Sequence, residues 1–190
     1  MIFQGIIFDL DGVICSTDEY HYQAWKELAD QEGIPFDRSV NNRLRGVSRM
    51  ESLEILLERA KRSYSQEEKE KMAAAKNTRY QELLREMTPA DLSPEVFETL
   101  ETLRKQGLKL AIGSSSKNTP LILDRLGLGG YFDAVSDGNN ITRSKPDPEV
   151  FLKAAEYLGL SPETCLVVED AVSGVEAAHR AGMKAAALGD

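Results

Sequence analysis

Two pairs of carboxylates each follow a short apolar run: Asp9-Leu10-Asp11-Gly12 comes after residues 5–8, and Glu169-Asp170 after residues 166–168. Apolar runs of this length, rich in β-branched residues, read as buried strands. In a parallel sheet both acidic pairs would end on one edge. Asp and Gly are also ordinary turn residues, so either pair taken alone fits a plain turn. Taken together, the four carboxylates repel and raise one another's pKa values, and they stay ionised side by side only with a cation among them. Oxygen ligands from Asp9, Asp11, Glu169 and Asp170, with no Cys or His, select Mg²⁺ over zinc.

Other strand ends offer the opposite chemistry. Gly113-Ser114-Ser115-Ser116-Lys117-Asn118 follows the run at 108–112, with hydroxyls, backbone N–H groups and an ammonium at a helix start, a setting that suits a phosphate. Lys145, in Ser144-Lys145-Pro146-Asp147-Pro148, stands just before a helical segment. The serine run also fits helix capping, and Lys145 an ordinary surface lysine. Their recurrence at successive strand ends favours one shared site. A metal, an Asp nucleophile, a hydroxyl and a lysine converging on one point describe phosphoryl transfer, where positioning and charge neutralisation supply most of the catalysis.

The elements that must position these groups follow from periodicity. Further strands are predicted at 184–188 and 132–135. Helices are predicted at 94–106, with Val96, Leu100 and Leu103 on one face, and at 150–158, with Phe151, Ala154, Ala155 and Leu158 on one stripe. That alternation implies a parallel sheet covered by helices. From Glu19 to about Met87 there is helical periodicity only, over 20–32, 50–62 and 66–87, as expected of an inserted helical domain. The expected division is an α/β domain of residues 1–15 and 90–190 and a helical domain of residues 16–89. The crossings at 15–18 and 87–94 read as a hinge pair and a linker. The charge-dense stretch 61–71 reads as a solvated helix face.

Composition narrows the function classes. The 190 residues are 42% apolar and 28% charged, with 14 Gly and 7 Pro, the profile of a folded globular chain of one or two domains. Lys and Arg total 23 against 31 Asp and Glu, a formal charge of −8, which argues against nucleic acid as a partner. Cys15 and Cys165 are too few for a disulfide framework or a cysteine metal site, and no apolar run approaches the roughly 20 residues of a membrane span. A cytoplasmic protein without a membrane partner is expected. The opening residues lead into an apolar run with no basic segment before it, so no secretory signal is expected.

Asp9-Leu10-Asp11-Gly12, Ser114, Lys145-Pro146 and Glu169-Asp170 resemble, in order, the four motifs of the haloacid dehalogenase superfamily of aspartate-nucleophile phosphotransferases. The segment between the first two resembles that superfamily's small helical cap. More narrowly, Glu19-Tyr20-His21 with Trp25, Gly46-Val47-Ser48-Arg49 with Ser52-Leu53, Lys76-Asn77 and Ser116-Lys117-Asn118 resemble the β-phosphoglucomutases within it. The resemblance implies an α/β fold: a doubly wound, Rossmann-like parallel sheet with an inserted small α-helical cap. It also implies a further strand and helix after Leu188, which this sequence lacks, ending at Gly189-Asp190.

The same resemblance implies roles. Asp9 would be the nucleophile and Asp11 the general acid and base for the sugar hydroxyl. Asp9, the Asp11 backbone carbonyl and Asp170 would hold Mg²⁺, with Glu169 beside it, while Ser114 and Lys145 grip the transferring phosphoryl oxygens. Arg49 would clamp the non-reacting phosphate, helped by Gly46, Val47 and Ser48, with Ser116, Lys117 and Asn118 serving from the core side. His21, Trp25 and Lys76 would line the cap side. Without the resemblance His21 reads as a partly packed surface histidine, Trp25 as core and Arg49 as a helix-start arginine. His179 reads as favourable with a helix dipole, and Cys15 as packing.

The implied activity is interconversion of β-D-glucose 1-phosphate and β-D-glucose 6-phosphate, through a phospho-aspartyl enzyme and a glucose 1,6-bisphosphate intermediate, by a monomer acting on a small sugar phosphate. The alternative is a Mg²⁺-dependent sugar-phosphate phosphatase on the same scaffold. A catalytically silent phosphosugar-binding protein is disfavoured by intact Asp9, Asp11, Lys145 and Asp170.

Overall fold

Strand β1 (Gly5–Phe8) is buried at every position, as a continuous apolar run must be when both faces of a sheet are covered. The computed structural model describes residues 3–44 and 47–189. Two compact units emerge: Met1–Ser16 with Met87–Asp190, and Thr17–Glu86.

The second unit is helical, with α1 (Asp18–Glu32), α2 (Arg38–Asn42), α3 (Arg49–Leu57) and α4 (Gln66–Leu84). Its ends are written in the sequence. Gly33 closes α1 at φ +65°, a left-handed conformation that glycine adopts without a Cβ penalty. Ser48 and Ser65 open α3 and α4 with reciprocal bonds to Glu51 and Glu68, the capping-box arrangement. Trp25, Leu28, Leu53, Leu56 and Met72 meet in the interior. Helix α3 ends at Leu57, short of the expected residue 62. Arg62 instead turns to Glu68 at 2.7 Å and lies 3.8 Å over the Tyr64 ring, serving the start of the next helix. Helix α2 was outside the expectation because five residues carry no readable period; Asp37 caps it through the Val40 N–H.

The chain re-enters the α/β unit at Met87, which is fully buried and whose carbonyl accepts a 2.8 Å bond from Arg125 Nε. The expected linker is therefore anchored from its first residue. A 3₁₀ turn at Pro89–Asp91 follows, capped by Thr88. Then come α5 (Pro94–Lys105), β2 (Lys109–Gly113), α6 (Thr119–Arg125), β3 (Ala134–Ser136), α7 (Glu149–Leu158), β4 (Cys165–Glu169), α8 (Val172–Arg180) and β5 (Lys184–Ala187). The five strands are all parallel, in the order β3-β2-β1-β4-β5, as in a doubly wound sheet. Ile7, Ala111, Phe151, Val167 and Ala177 form the centre of its core. Among the described residues no helix is long and apolar enough to cross a membrane.

Ile7 is fully buried at the middle of the central strand. Ile7→Ala should destabilise the protein by about 2–5 kcal/mol, read as a lowered urea midpoint with an unchanged slope. A loss below about 1 kcal/mol would mean that β1 is not the core strand.

Candidate active site

The site of the α/β unit is built at the carboxyl ends of β1, β2 and β4. Phe8 pairs with Ile112 on one side and Val168 on the other, and the Asp9 N–H continues the ladder to the Val168 carbonyl at 2.9 Å. Asp9 thus emerges between the other two strand ends and is 7% exposed. The chain then turns sharply. Ile14 and Cys15 donate to the Leu10 carbonyl, and the Gly12 N–H donates to Cys15 at 2.7 Å. Gly12 is required twice over: its φ is +86°, and a Cβ there would lie 2.1 Å from Asp170 Oδ2.

One oxygen each from Asp9, Glu169 and Asp170 lie within 4.8 Å of one another. With the hollow that Gly12 leaves beside Asp170, this all-oxygen set fits a hard divalent cation. The Asp11 side chain is not among the three. Lys145, 3% exposed, reaches the same point: its Nζ donates to Asp9 Oδ1 and Glu169 Oε1, each at 2.5 Å, and lies 4.8 Å over the Phe151 ring. Glu169, 1% exposed, also accepts the Ala171 N–H on Oε2 at 2.8 Å. Both of its oxygens therefore already have protein partners.

Burial pushes the Asp9 carboxyl up to about 7; the Lys145 ammonium pulls it down, and the Glu169 and Asp11 charges add to the rise. Burial by itself would lower the Lys145 ammonium, but Asp9 and Glu169 hold it above its ordinary value. Burial likewise pushes the Cys15 thiol up, consistent with packing rather than reactivity.

Backbone and hydroxyl groups lace the serine run. Ser114 donates its N–H to the Ser136 carbonyl at 3.0 Å, Ser114 Oγ accepts the Ser116 N–H, and Ser116 Oγ accepts the Asn118 N–H. Ser114 and Asn118 are buried, Ser116 is half-buried and Lys117 exposed. Ser115 Oγ accepts the Lys145 N–H at 3.4 Å, tying the two loops together.

Sequence reasoning missed Glu149, which takes the N–H groups of Thr142 and Arg143 and the Thr142 hydroxyl on one oxygen, fastening the loop that carries Lys145 to the first turn of α7. Burial works against its charge, but those donors win and hold it at about 2. It also missed Asp137, buried at the end of β3 and accepting the Asn139 N–H. An acidic residue in a first helical turn and an Asp before Gly both read as local capping, so only the tertiary placement distinguishes them.

Within the helical unit, His21 stacks on Tyr80 at 4.0 Å and its Nδ1 lies 2.8 Å from Lys76 Nζ. Burial, then the Lys76 and Arg49 charges, hold the imidazole well below its ordinary pKa. Lys76 is buried, 4.8 Å over Trp25 and 4.4 Å over Tyr80. Trp25, expected to contact substrate, is 2% exposed and belongs to the helical core. Its ring supports the Lys76 ammonium. Val47, Ser48 and Arg49 are half-buried at the start of α3. Gly46 lies outside the described residues. Burial lowers the Arg49 guanidinium, and Tyr80 opposes that shift.

The sequence model of the haloacid dehalogenase-like hydrolases matches residues 3–182. The chain belongs to this family. It is 45% identical over 188 residues to the β-phosphoglucomutase of Bacillus subtilis, covering 98% of this chain and 83% of that protein. It is 35% identical over 184 residues to the phosphorylated carbohydrates phosphatase of Thermotoga maritima, covering 95% and 82%. The crystal structure of β-phosphoglucomutase from Clostridium difficile superimposes with a TM-score of 0.93 at 41% identity, covering 100% of this chain and 86% of that one.

The raised Asp9 carboxyl makes cation binding compete with a proton. The folded value of about 7 lies above the ordinary 3.8, so this group's contribution favours the metal-free fold at low pH and is lost as pH rises toward 7. A divalent cation relieves that loss. Saturating Mg²⁺ should therefore raise the melting temperature more at about pH 8 than at about pH 5.5. An equal or larger rise at the lower pH would contradict the carboxylate assignment.

Proposed function

We propose that this chain is a β-phosphoglucomutase, interconverting β-D-glucose 1-phosphate and β-D-glucose 6-phosphate through a phospho-aspartyl enzyme and a glucose 1,6-bisphosphate intermediate. The observation that carries the mutase reading is Arg49, a guanidinium half-buried at the start of α3, where burial lowers its pKa. Such a group is costly until an anion meets it. A phosphate on the non-reacting end of the sugar is that anion, and the planar fork suits it.

The remaining roles follow from the chemistry of the groups. An oxygen of Asp9 attacks the phosphorus of the bisphosphate, the P–O bond to the sugar breaks, and Asp11 gives its proton to the departing sugar oxygen. In the other half, Asp11 takes a proton from the free hydroxyl of a glucose monophosphate, whose oxygen attacks the phospho-aspartyl phosphorus as the bond from phosphorus to Asp9 breaks, giving the bisphosphate and a free Asp9 carboxylate. The Lys145 ammonium, adjacent to Asp9, and the Ser114 hydroxyl receive charge on the transferring oxygens. Asp9, Asp170 and the Asp11 carbonyl would hold Mg²⁺, with Glu169 beside it, and the ion would supply charge neutralisation between the carboxylates and the incoming phosphoryl group. Ser116, Lys117 and Asn118 serve the sugar or its second phosphate. His21 and Lys76 act in the helical unit, with Trp25 supporting Lys76. The protein acts in the cytoplasm as a monomer.

Incubation with β-glucose 1-phosphate, a catalytic amount of the bisphosphate and Mg²⁺ should yield glucose 6-phosphate. Release of free phosphate in its place would make the protein a sugar-phosphate phosphatase. Arg49→Ala should lower mutase turnover by about 10- to 100-fold and Arg49→Lys by less, while hydrolysis of a small aryl phosphate, which has no second phosphate, stays within about twofold. Equal losses in both assays would remove Arg49 from the distal-phosphate role.

A further inference from the structure

Gly174 lies in the first turn of α8, buried, with its N–H donating to the Ala171 carbonyl at 3.0 Å. A Cβ at this position would fall 1.8 Å from Glu169 Oε1, 2.0 Å from its Cδ and 2.6 Å from Oε2. The end of a glutamate side chain ordinarily swings away from a methyl group at small cost. Here it cannot do so freely. Oε1 takes the Lys145 ammonium, Oε2 takes the Ala171 N–H, and the residue is 1% exposed. Any displacement of the carboxylate releases one of these partners.

We propose that Gly174 is a positioning residue for phosphoryl transfer: by leaving room for the Glu169 carboxylate, it sets where the Lys145 ammonium stands relative to Asp9. The inference rests on the assignment of Asp9 as nucleophile. With Glu169 displaced, Lys145 would keep Asp9 as its single carboxylate partner, drawing the ammonium onto the attacking group and away from the incoming phosphoryl oxygens. Gly174 has ordinary helical backbone, without the positive φ of Gly12. Alanine is a better helix former than glycine, so the substitution would stabilise α8 if the Glu169 carboxylate were not in the way. The sign of the effect therefore depends on Glu169.

The test is a cycle of parent, Gly174→Ala, Glu169→Ala and the double variant, each followed by the rate at which acetyl phosphate with Mg²⁺ phosphorylates the protein and by melting temperature. Gly174→Ala should slow phosphorylation at least about tenfold in the parent and change it less than about twofold in the Glu169→Ala background, where it should also leave the melting temperature unchanged or raised. Equal slowing in both backgrounds, or none in the parent, would overturn the proposal. If Gly174→Ala alone does not fold, a double variant as stable as Glu169→Ala supports the proposal, and a double variant that also fails to fold overturns it. A parent protein that takes no phosphoryl group at all would instead defeat the Asp9 assignment, and the catalytic half of this proposal with it. The melting temperatures of the four proteins report the Gly174–Glu169 conflict in either case.

Discussion

The Lys145 ammonium joins two carboxylates, Asp9 just past the end of β1 and Glu169 at the end of β4, and all three groups are buried. Taking three charged groups out of water is expensive, and their attraction offsets that cost only while all three stay in register. Removing one member from such a buried set costs about 3–5 kcal/mol. The arrangement is therefore kept for what it positions. The crowded carboxylates explain two glycines that hydropathy alone would not single out: Gly174 leaves room for Glu169 of this set, and Gly12 for the neighbouring Asp170. The buried Phe151 presents the face of its ring to the ammonium.

The sheet order makes this contact available. With β1 between β2 and β4, the residue after Phe8 has the serine run on one side and the acidic pair on the other. Lys145 arrives by a longer route, on the loop between β3 and α7, and that loop is fastened at two places: Ser115 receives the Lys145 N–H, and Glu149 grips Thr142 and Arg143. A surface ion pair would tolerate a floppy loop; a buried ammonium shared by two carboxylates does not.

Much of the α/β unit was legible in the sequence because its signals are local. Strand β1 matches the expected residues 5–8, and the other four strands fall where apolar runs pointed, with ends shifted by a residue or two. Asp9, Lys145, Glu169 and Asp170 could be placed on one sheet edge by spacing alone, and they do meet there. The short helices α2 and α6 span too few residues for a period to show. The pairing of Glu169 with Lys145, the loop anchor at Glu149 and the space at Gly174 are tertiary facts, invisible to spacing. Trp25 illustrates the converse: its family position suggested substrate contact, while its plain reading as a large apolar residue on an amphipathic helix matches its burial.

The account turns on Asp9 taking up the phosphoryl group. The direct measurement is mass spectrometry of peptides from protein treated with acetyl phosphate and Mg²⁺, after borohydride reduction of the acyl phosphate. The parent protein should carry the modification at Asp9, and Asp9→Asn, shown to be folded by a cooperative melting transition, should carry none. Phosphate on Ser114, on His21 or on any residue other than Asp9 would contradict the mechanism.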